Sequence, residues 1–295
     1  MQNFQSLFFC LSRFLSLQAL AESTAPKDPA QYKAWAEKFW NSIERKQGDI
    51  QLPNGVASLK IPDQFYYLNP ADSARVLTEA WGNPSGAKML GMLFPTGMNP
   101  FDADAWGVTI AYEEDGYVSD KDAADINYSD LLKDMQKDTE ANNTERKKDG
   151  FEPITLVGWA APPHYDKATH KLYWARELQF GDDKVHTLNY SIRMLGRKGV
   201  LVLNFIAGME QKPMIESKLD QVLALANFEQ GHRYEEFNPS LDKVAAYGIG
   251  GLIAGTVLTK TGLFAAGLLL LKKFGVIAVV AIGALFRKLF RSKAE

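Results

Sequence analysis

The chain contains little that supports cysteine chemistry or nucleic-acid binding. Its 295 residues include one cysteine, Cys10, so no internal disulfide can form and the body of the chain has no thiol for catalysis. The net charge of −2 lacks the basic excess of a nucleic-acid binder. Phosphate-binding motifs and the nucleophile elbow of hydrolases are also missing from the sequence. We therefore expect no cofactor and no nucleic-acid partner.

Residues 1–21 have the layout of a signal peptide. An apolar stretch ends in Ala19-Leu20-Ala21, the small-x-small pattern at which signal peptidase cuts. Arg13 interrupts this stretch and no basic residue precedes it, so an amphipathic helix that stays attached is the alternative. Residues 22–47 follow as a polar linker and a short amphipathic helix.

The strongest apolar character lies near the C-terminal end. Residues 244–271 carry one charge, Lys260, and are long enough to cross a bilayer core of about 30 Å as a helix. We predict a membrane anchor over residues 244–290 that crosses once and ends its crossing at the lysine pair. A helical hairpin in the membrane and a hairpin buried in a soluble core are the alternatives. The residues assigned to the membrane are Tyr247, Gly251, Gly255, Leu271, Lys272 and Lys273.

Basic residues at the end of the tail set the predicted orientation. The positive-inside rule places them in the cytoplasm, and one crossing then leaves the acidic body on the periplasmic side of the bacterial inner membrane. The lipid bilayer is the expected partner, and another membrane or envelope protein is a candidate.

Residues 48–240 are predicted to form one exported α+β domain with helices packed on an antiparallel sheet. Asn54-Gly55 between two short alternating runs predicts a hairpin. Three longer alternating runs predict adjacent antiparallel strands with one buried face, and the helix after them is expected to lie across that sheet. The three runs span residues 172–180, 188–194 and 201–205, the helix after them spans 213–226, and an earlier helix spans 128–148.

Two histidines and a carboxylate lie close together at one place in the sequence. His164 and His170 flank Tyr165-Asp166 in a loop between two predicted strands, although their spacing is not that of a zinc site. These four residues are the candidate site of an alternative function, an envelope hydrolase or metal-dependent enzyme. Loop histidines and aspartates more often stabilise turns.

The acidic residues between 113 and 126 invite a calcium site. They fail the spacing of an EF-hand loop, because Gly116 directly follows Asp115 and no glutamate closes the loop at the required position. We therefore expect a solvated loop, named the acidic loop below.

Two further sets of residues are candidates for recognition. Trp81, Trp106 and Trp159 lie in predicted turns, where they would form a recognition surface, although packing is their more frequent use. Arg193 lies beside an apolar-faced strand and needs a carboxylate partner if it is buried. Glu177 on the neighbouring strand is the natural partner, and such structural pairing is favoured over substrate binding.

Several short sequences carry a resemblance to a known family. They are Trp81-Gly82-Asn83-Pro84, Gly116-Tyr117-Val118, Gly158-Trp159-Ala160, Tyr165-Asp166, Leu188-Asn189-Tyr190 with Arg193, Leu195-Gly196-Arg197, and Asp242-Lys243-Val244-Ala245-Ala246-Tyr247-Gly248-Ile249-Gly250. With these pieces the chain resembles the uncharacterised bacterial membrane-anchored proteins defined by domain of unknown function 2167. The resemblance implies an export signal, an exported domain and a C-terminal anchor, but no activity and no catalytic residue. The leading interpretation is a membrane-anchored envelope protein that binds a partner or supports an assembly.

Overall fold

The described part of the chain contains five α-helices and twelve strands. The computed structural model describes residues 28–81, 88–102, 104–148 and 150–255, with positions 26 and 86. The predicted signal peptide, and the part of the predicted anchor that holds Leu271, Lys272 and Lys273, lie outside the described residues. In chain order the elements are α1 (Pro29–Asn41), β1 (Gly48–Gln51), β2 (Ala57–Ile61), β3 (Phe65–Leu68), α2 (Pro70–Arg75), β4 (Gly91–Pro95), β5 (Gly107–Glu113), β6 (Tyr117–Ser119), α3 (Tyr128–Lys148), β7 (Ile154–Asp166), β8 (Lys171–Phe180), β9 (Thr187–Leu195), β10 (Val200–Gly208), α4 (Lys212–Leu225), β11 (Ala226–Phe228), β12 (Val244–Gly248) and α5 (Ile249–Ala254).

The first two helices begin at side chains that cap them. Asp28 accepts hydrogen bonds from the backbone N–H groups of Ala30 and Gln31 at the start of α1. Asn69 caps α2 in the same way through the N–H of Asp72. Capping of this kind satisfies backbone donors that have no partner inside the helix, and in both cases a proline follows the cap at the position where its missing N–H costs nothing.

An antiparallel sheet of seven strands forms the centre of the fold. Its strand order is β3-β4-β5-β10-β9-β8-β7. The three predicted runs become β8, β9 and β10, which lie side by side, and α4 packs across them as expected. A second sheet, β1-β2-β11, contains the hairpin predicted at Asn54-Gly55. The predicted α+β class with an antiparallel sheet is confirmed.

The seven-stranded sheet is buried on both faces, which corrects the expectation of one buried face. Leu172 of β8 lies opposite Arg193 of β9, so the even-numbered residues of β8 share a face with the odd-numbered residues of β9. The apolar positions of the two strands therefore point in opposite directions. Leu172 packs beneath α3 and α5, whereas Ile192 packs beneath α4.

Three apolar clusters contain most of the buried apolar side chains of the described residues. One lies between the first sheet face, α4 and the β1-β2-β11 sheet. The other two lie at opposite ends of the second face. Val202 belongs to the cluster under α3 and α5, and Ile206, four residues further along β10, belongs to the cluster under α1 and α2. The middle of the second face lies between these two clusters.

The first residues of the predicted membrane anchor belong to the folded unit, which corrects the predicted start at Val244. β12 pairs in parallel with β6, and α5 buries Ile249, Leu252 and Ile253 in the cluster beneath it. The compact unit extends to Ala254. These residues are held by packing and backbone pairing within the unit, and they include Tyr247 and Gly251 of the predicted membrane set.

Gly255 of the same set directly follows α5 and has a positive φ of 67°. Within the described residues, no helix has both the length and the apolar character that a bilayer crossing requires.

The contact between β6 and β12 can be tested with two matched glycine substitutions. Gly116 has a φ of +111° and Gly86 a φ of +102°, so alanine is under similar backbone strain at the two positions. A Cβ at Gly116 would lie 2.6 Å from the Lys243 carbonyl oxygen, whereas one at Gly86 meets nothing within 4 Å. We expect Gly116→Ala to lower the free energy of unfolding by about 1–3 kcal/mol more than Gly86→Ala, as overpacking does. Urea denaturation measures both, and equal losses would contradict the close approach of β12.

Candidate functional site

The candidate residues around His164 and His170 are divided between the two faces of the sheet. The His164 ring packs at a tilt against Tyr173 of the neighbouring strand, with ring centroids 5.0 Å apart. Asp166 is half-buried and caps a turn, accepting hydrogen bonds from the Ala168 N–H at 2.9 Å and the Thr169 hydroxyl at 2.6 Å. These two bonds hold the pKa of Asp166 below its usual range, and the bond from Thr169 has the larger effect. Asp166 therefore has the role of a turn carboxylate.

Tyr165 and His170 form a separate group on the opposite face. The Tyr165 hydroxyl donates to Asp120 at 2.9 Å and lies 3.1 Å from His170 Nδ1. A phenol has one proton, so His170 must be the donor to Tyr165 through Nδ1. Burial, together with the hydrogen bond to Asp120, raises the pKa of Tyr165. The His170 ring packs against Tyr234, 4.1 Å between centroids.

The enzyme alternative requires His164, Asp166 and His170 to converge, and this structure separates them. Successive residues of β7 point to opposite faces, so His164 and Asp166 lie on one side while Tyr165 and its partner His170 lie on the other. Among the described residues, no group of three or more His, Cys, Asp or Glu side chains is placed to hold a metal ion.

The tryptophans proposed as a recognition surface mostly belong to the core. Trp106 is 0% exposed and packs between Phe65 and Phe205. Trp81 is 5% exposed, and its indole N–H donates to the Pro100 carbonyl oxygen at 2.9 Å. Burial of these two large rings corrects the prediction, because a side chain within the core cannot contact a partner.

Trp159 is half-buried and differs from the other two tryptophans. Its indole N–H donates to the Tyr128 carbonyl oxygen at 3.1 Å and so connects β7 to the start of α3.

The acidic loop holds the segment that follows residue 243, which corrects the expectation of a solvated loop for three of its carboxylates. Asp115 accepts a hydrogen bond from the Tyr247 hydroxyl at 2.8 Å. Asp122 accepts from the backbone N–H groups of Ile249 and Gly250, at 3.0 and 3.1 Å, and so caps α5. The third carboxylate, Asp120, is the partner of Tyr165 described above. Carboxylates that accept from N–H and O–H donors in this way fix a segment in place.

Polar side chains cross the middle of the second sheet face, between its two apolar clusters. Along β10, Val202 and Ile206 are apolar and Asn204 between them is polar. The register places Asn204 opposite Thr109 on one side and Ser191 on the other. We name this set the polar strip; its members are Thr109, Arg176, Asn189, Ser191, Arg193 and Asn204.

Hydrogen bonds link the members of the polar strip. Arg176 Nη2 donates to the Asn189 side-chain oxygen at 2.6 Å, and the Ser191 hydroxyl donates to the same oxygen at 3.4 Å. Arg193 Nη1 donates to the Asn204 side-chain oxygen at 2.9 Å. Arg193 is buried and Arg176 is partly buried, and desolvation is the main cause that lowers the pKa of each guanidinium.

The predicted ion pair between Arg193 and Glu177 does not form. Glu177 is an odd-numbered residue of β8 and faces away from Arg193, where it pairs with His186. Glu113 is the carboxylate whose charge interacts with Arg193. Burial raises the pKa of Glu113, and the positive charge of Arg193 offsets part of that rise. Among the described residues, no carboxylate makes an ion pair with Arg193.

Sequence reasoning missed the polar strip as a set, although part of its signal was visible. Asn189, Ser191 and Arg193 alternate with the apolar residues of β9. Alternation of this kind normally indicates a strand with one solvated face, so the sequence pattern predicts that these polar residues lie on the surface. The structure covers that face as well. Only the register of four strands shows that the polar positions of β5, β8, β9 and β10 meet.

The fold and the polar strip define a class, an α+β domain whose antiparallel sheet is covered on both faces and carries a charged patch inside. The chain belongs to the family described as protein of unknown function (DUF2167), which matches residues 44–283. Among curated proteins, no relative matches the chain. A similar solved structure is the solution structure of cyanobacterial PsbP (CyanoP) from Synechocystis sp. PCC 6803. It has 12% sequence identity and a TM-score of 0.33, over 64% of this chain and 93% of that chain.

Proposed function

We propose that the chain is a membrane-attached binding or assembly module of the bacterial cell envelope. The observation that carries the binding role is the polar strip, which places the buried Arg193 on the strand next to the partly buried Arg176. A buried charge is costly, and apolar residues of similar volume are often equally stabilising or better. We infer that these arginines serve recognition rather than folding.

Membrane attachment is proposed through residues 256–290. Their sequence is largely apolar, with charges at Lys260, at the pair Lys272-Lys273 and at the pair Arg287-Lys288 near its end, and lysine stems can extend toward the membrane surface. The basic end of the tail supports a cytoplasmic C-terminus, with the folded unit on the periplasmic side. The partners proposed are the bilayer and another membrane or envelope protein.

Attachment and orientation can be tested in bacterial cells that produce the full chain. We expect it to stay with the membrane pellet after an alkaline carbonate wash. Alkaline phosphatase fused after Gly255 should be active, and the same enzyme fused after Glu295 should be inactive. Release of the chain by carbonate would contradict attachment, and activity at both positions would contradict a cytoplasmic C-terminus.

The binding role can be tested by crosslinking in intact membranes, followed by identification of the captured neighbour. Arg193→Lys keeps the positive charge but loses the fork of parallel N–H donors. We expect one captured neighbour to decrease in this variant. Arg75→Lys is the matched control, since Arg75 lies outside the polar strip and pairs with Glu79 on the surface. A capture pattern that is identical in all three proteins would contradict recognition through the strip.

A further inference from the structure

Arg193 presents one edge of its guanidinium without a partner. The side chain is 8% exposed. Both of its hydrogen bonds use Nη1, which donates to the Ile192 carbonyl oxygen at 3.0 Å and to Asn204 at 2.9 Å. Within the described residues, Nε is buried with no acceptor. The edge formed by Nε and Nη2 is therefore available, and it is the edge that receives the two oxygens of a carboxylate or phosphate side by side.

A second buried donor belongs to Trp174, whose ring packs against the Arg193 guanidinium. Trp174 of β8 is 1% exposed, and its indole N–H also has no acceptor among the described residues. The Arg193 guanidinium carbon lies 5.1 Å from the centroid of the Trp174 ring. Buried indole N–H groups usually find an acceptor, and an unsatisfied one calls for an explanation. The two open donors come from neighbouring strands and lie on the same face of the sheet.

The charge around the two donors is positive. Arg176 lies on the strand next to Arg193, and Arg193 adds to the effect of burial in lowering the pKa of Arg176. Glu113 is the carboxylate whose charge acts on Arg193, but it makes no ion pair with it. The open groups are N–H donors, and a site with this composition favours a negatively charged acceptor over a neutral or positive one.

We propose that the polar strip binds an oxyanion, the carboxylate or phosphate group of a ligand, received side-on by Arg193 with Trp174 as a further donor. The proposal rests on the proposed function and names the ligand class of the same site. Arg176 contributes the second positive charge. Carboxylate and phosphate share the geometry of paired oxygens, and a phosphate can come from a free molecule or from a lipid headgroup.

The test follows the thermal unfolding of the purified full chain in neutral detergent as an anion is added. The probes are succinate and inorganic phosphate, with sodium chloride at matched ionic strength as the reference. A ligand that binds only the folded state raises the unfolding temperature in a saturable way. We expect at least one probe to do so beyond the effect of chloride. Nanodiscs with and without phosphatidate form a third arm, and a shift confined to phosphatidate assigns the group to a lipid headgroup.

Three variants assign the effect to the proposed donors. Arg193→Lys should abolish the saturable shift, since a lysine cannot offer parallel N–H donors. Trp174→Phe keeps an aromatic ring and removes the indole donor, so the apparent affinity should fall about tenfold, the effect of one charge-assisted hydrogen bond. Arg75→Lys should respond like the unmodified chain. If Arg193→Lys does not fold, Trp174→Phe still provides the test.

Two results would overturn the inference. One is the absence of a saturable shift with succinate, phosphate and phosphatidate nanodiscs alike. The other is a shift that persists at full affinity in both Arg193→Lys and Trp174→Phe, which would place the anion elsewhere on the protein. The crosslinking and reporter experiments use no added anion. A failed anion titration beside an Arg193-dependent crosslink would therefore reject the ligand class and leave the proposed function in place.

Discussion

Trp106→Ala is expected to lower the free energy of unfolding by about 3–5 kcal/mol, the range for truncating a fully buried aromatic side chain. Trp106 is 0% exposed, stacks on Phe205 with ring centroids 5.7 Å apart, and meets the edge of Phe65 at 6.1 Å. Its removal leaves a cavity at the centre of the cluster beneath α4. Urea denaturation followed by far-UV circular dichroism measures the loss.

Trp159→Ala is the matched comparison, because it removes the same side chain from a half-buried site. It deletes one hydrogen bond, to the Tyr128 carbonyl oxygen, and part of an apolar contact. We expect a loss of about 1–2 kcal/mol. Equal losses in the two variants, or a loss below about 1 kcal/mol for Trp106→Ala, would contradict the burial of Trp106 and return it to the candidate recognition surface.

Asp122→Ala is expected to release α5 from the folded unit. The carboxylate accepts two backbone hydrogen bonds, from the N–H groups of Ile249 and Gly250 at the start of this helix. Losing bonds to a charged acceptor costs about 2 kcal/mol, which corresponds to a roughly 30-fold larger equilibrium population of the opened helix and so to proportionally faster hydrogen exchange. Hydrogen exchange followed by mass spectrometry should show this acceleration in the peptide that covers residues 249–254.

Asp125→Ala is the control within the same acidic loop. Asp125 is exposed, and its backbone N–H donates to the Asp122 carbonyl oxygen. Exchange over residues 249–254 should be unchanged in this variant. An Asp122→Ala protein whose exchange matches that of Asp125→Ala would show that packing of Ile249, Leu252 and Ile253 holds α5 without the cap.

Local patterns predicted much of the secondary structure. The helix expected over residues 128–148 is α3 with the same bounds, and Asn54-Gly55 lies in the turn between β1 and β2. These elements depend on residues close in sequence, through 3.6-residue spacing or turn chemistry, so the sequence contains the information that decides them.

Features that depend on strand register were not predictable in the same way. The pairing of Arg193 with Glu177 looked natural because the two strands are neighbours. The register puts Glu177 opposite Leu188 and Arg193 opposite Leu172, on different faces. A shift of one residue reverses every side chain of a strand, and no pattern within a single strand fixes that choice.

The acidic loop and the segment after residue 243 show the same limit over a longer distance. Charge and spacing predicted a solvated loop and an apolar tail as two unrelated segments. The contacts of Asp115 with Tyr247 and of Asp122 with Ile249 join the two, and they redefine where the folded unit ends. Apolarity identified residues 249–254 as buried without indicating whether protein or lipid would bury them.

The pairing of β6 with β12 gives the folded unit a fixed order of completion during synthesis. Asp122 and Ile249 are separated by 127 positions in the chain, so the acceptors leave the ribosome well before the donors. At about 5–20 residues per second, that interval is roughly 6–25 s. During this interval the apolar surface that α5 later covers, including Val118 and Met135, stays exposed. Chaperones can therefore bind the nascent chain on this side, and residues 244–254 complete the folded unit last.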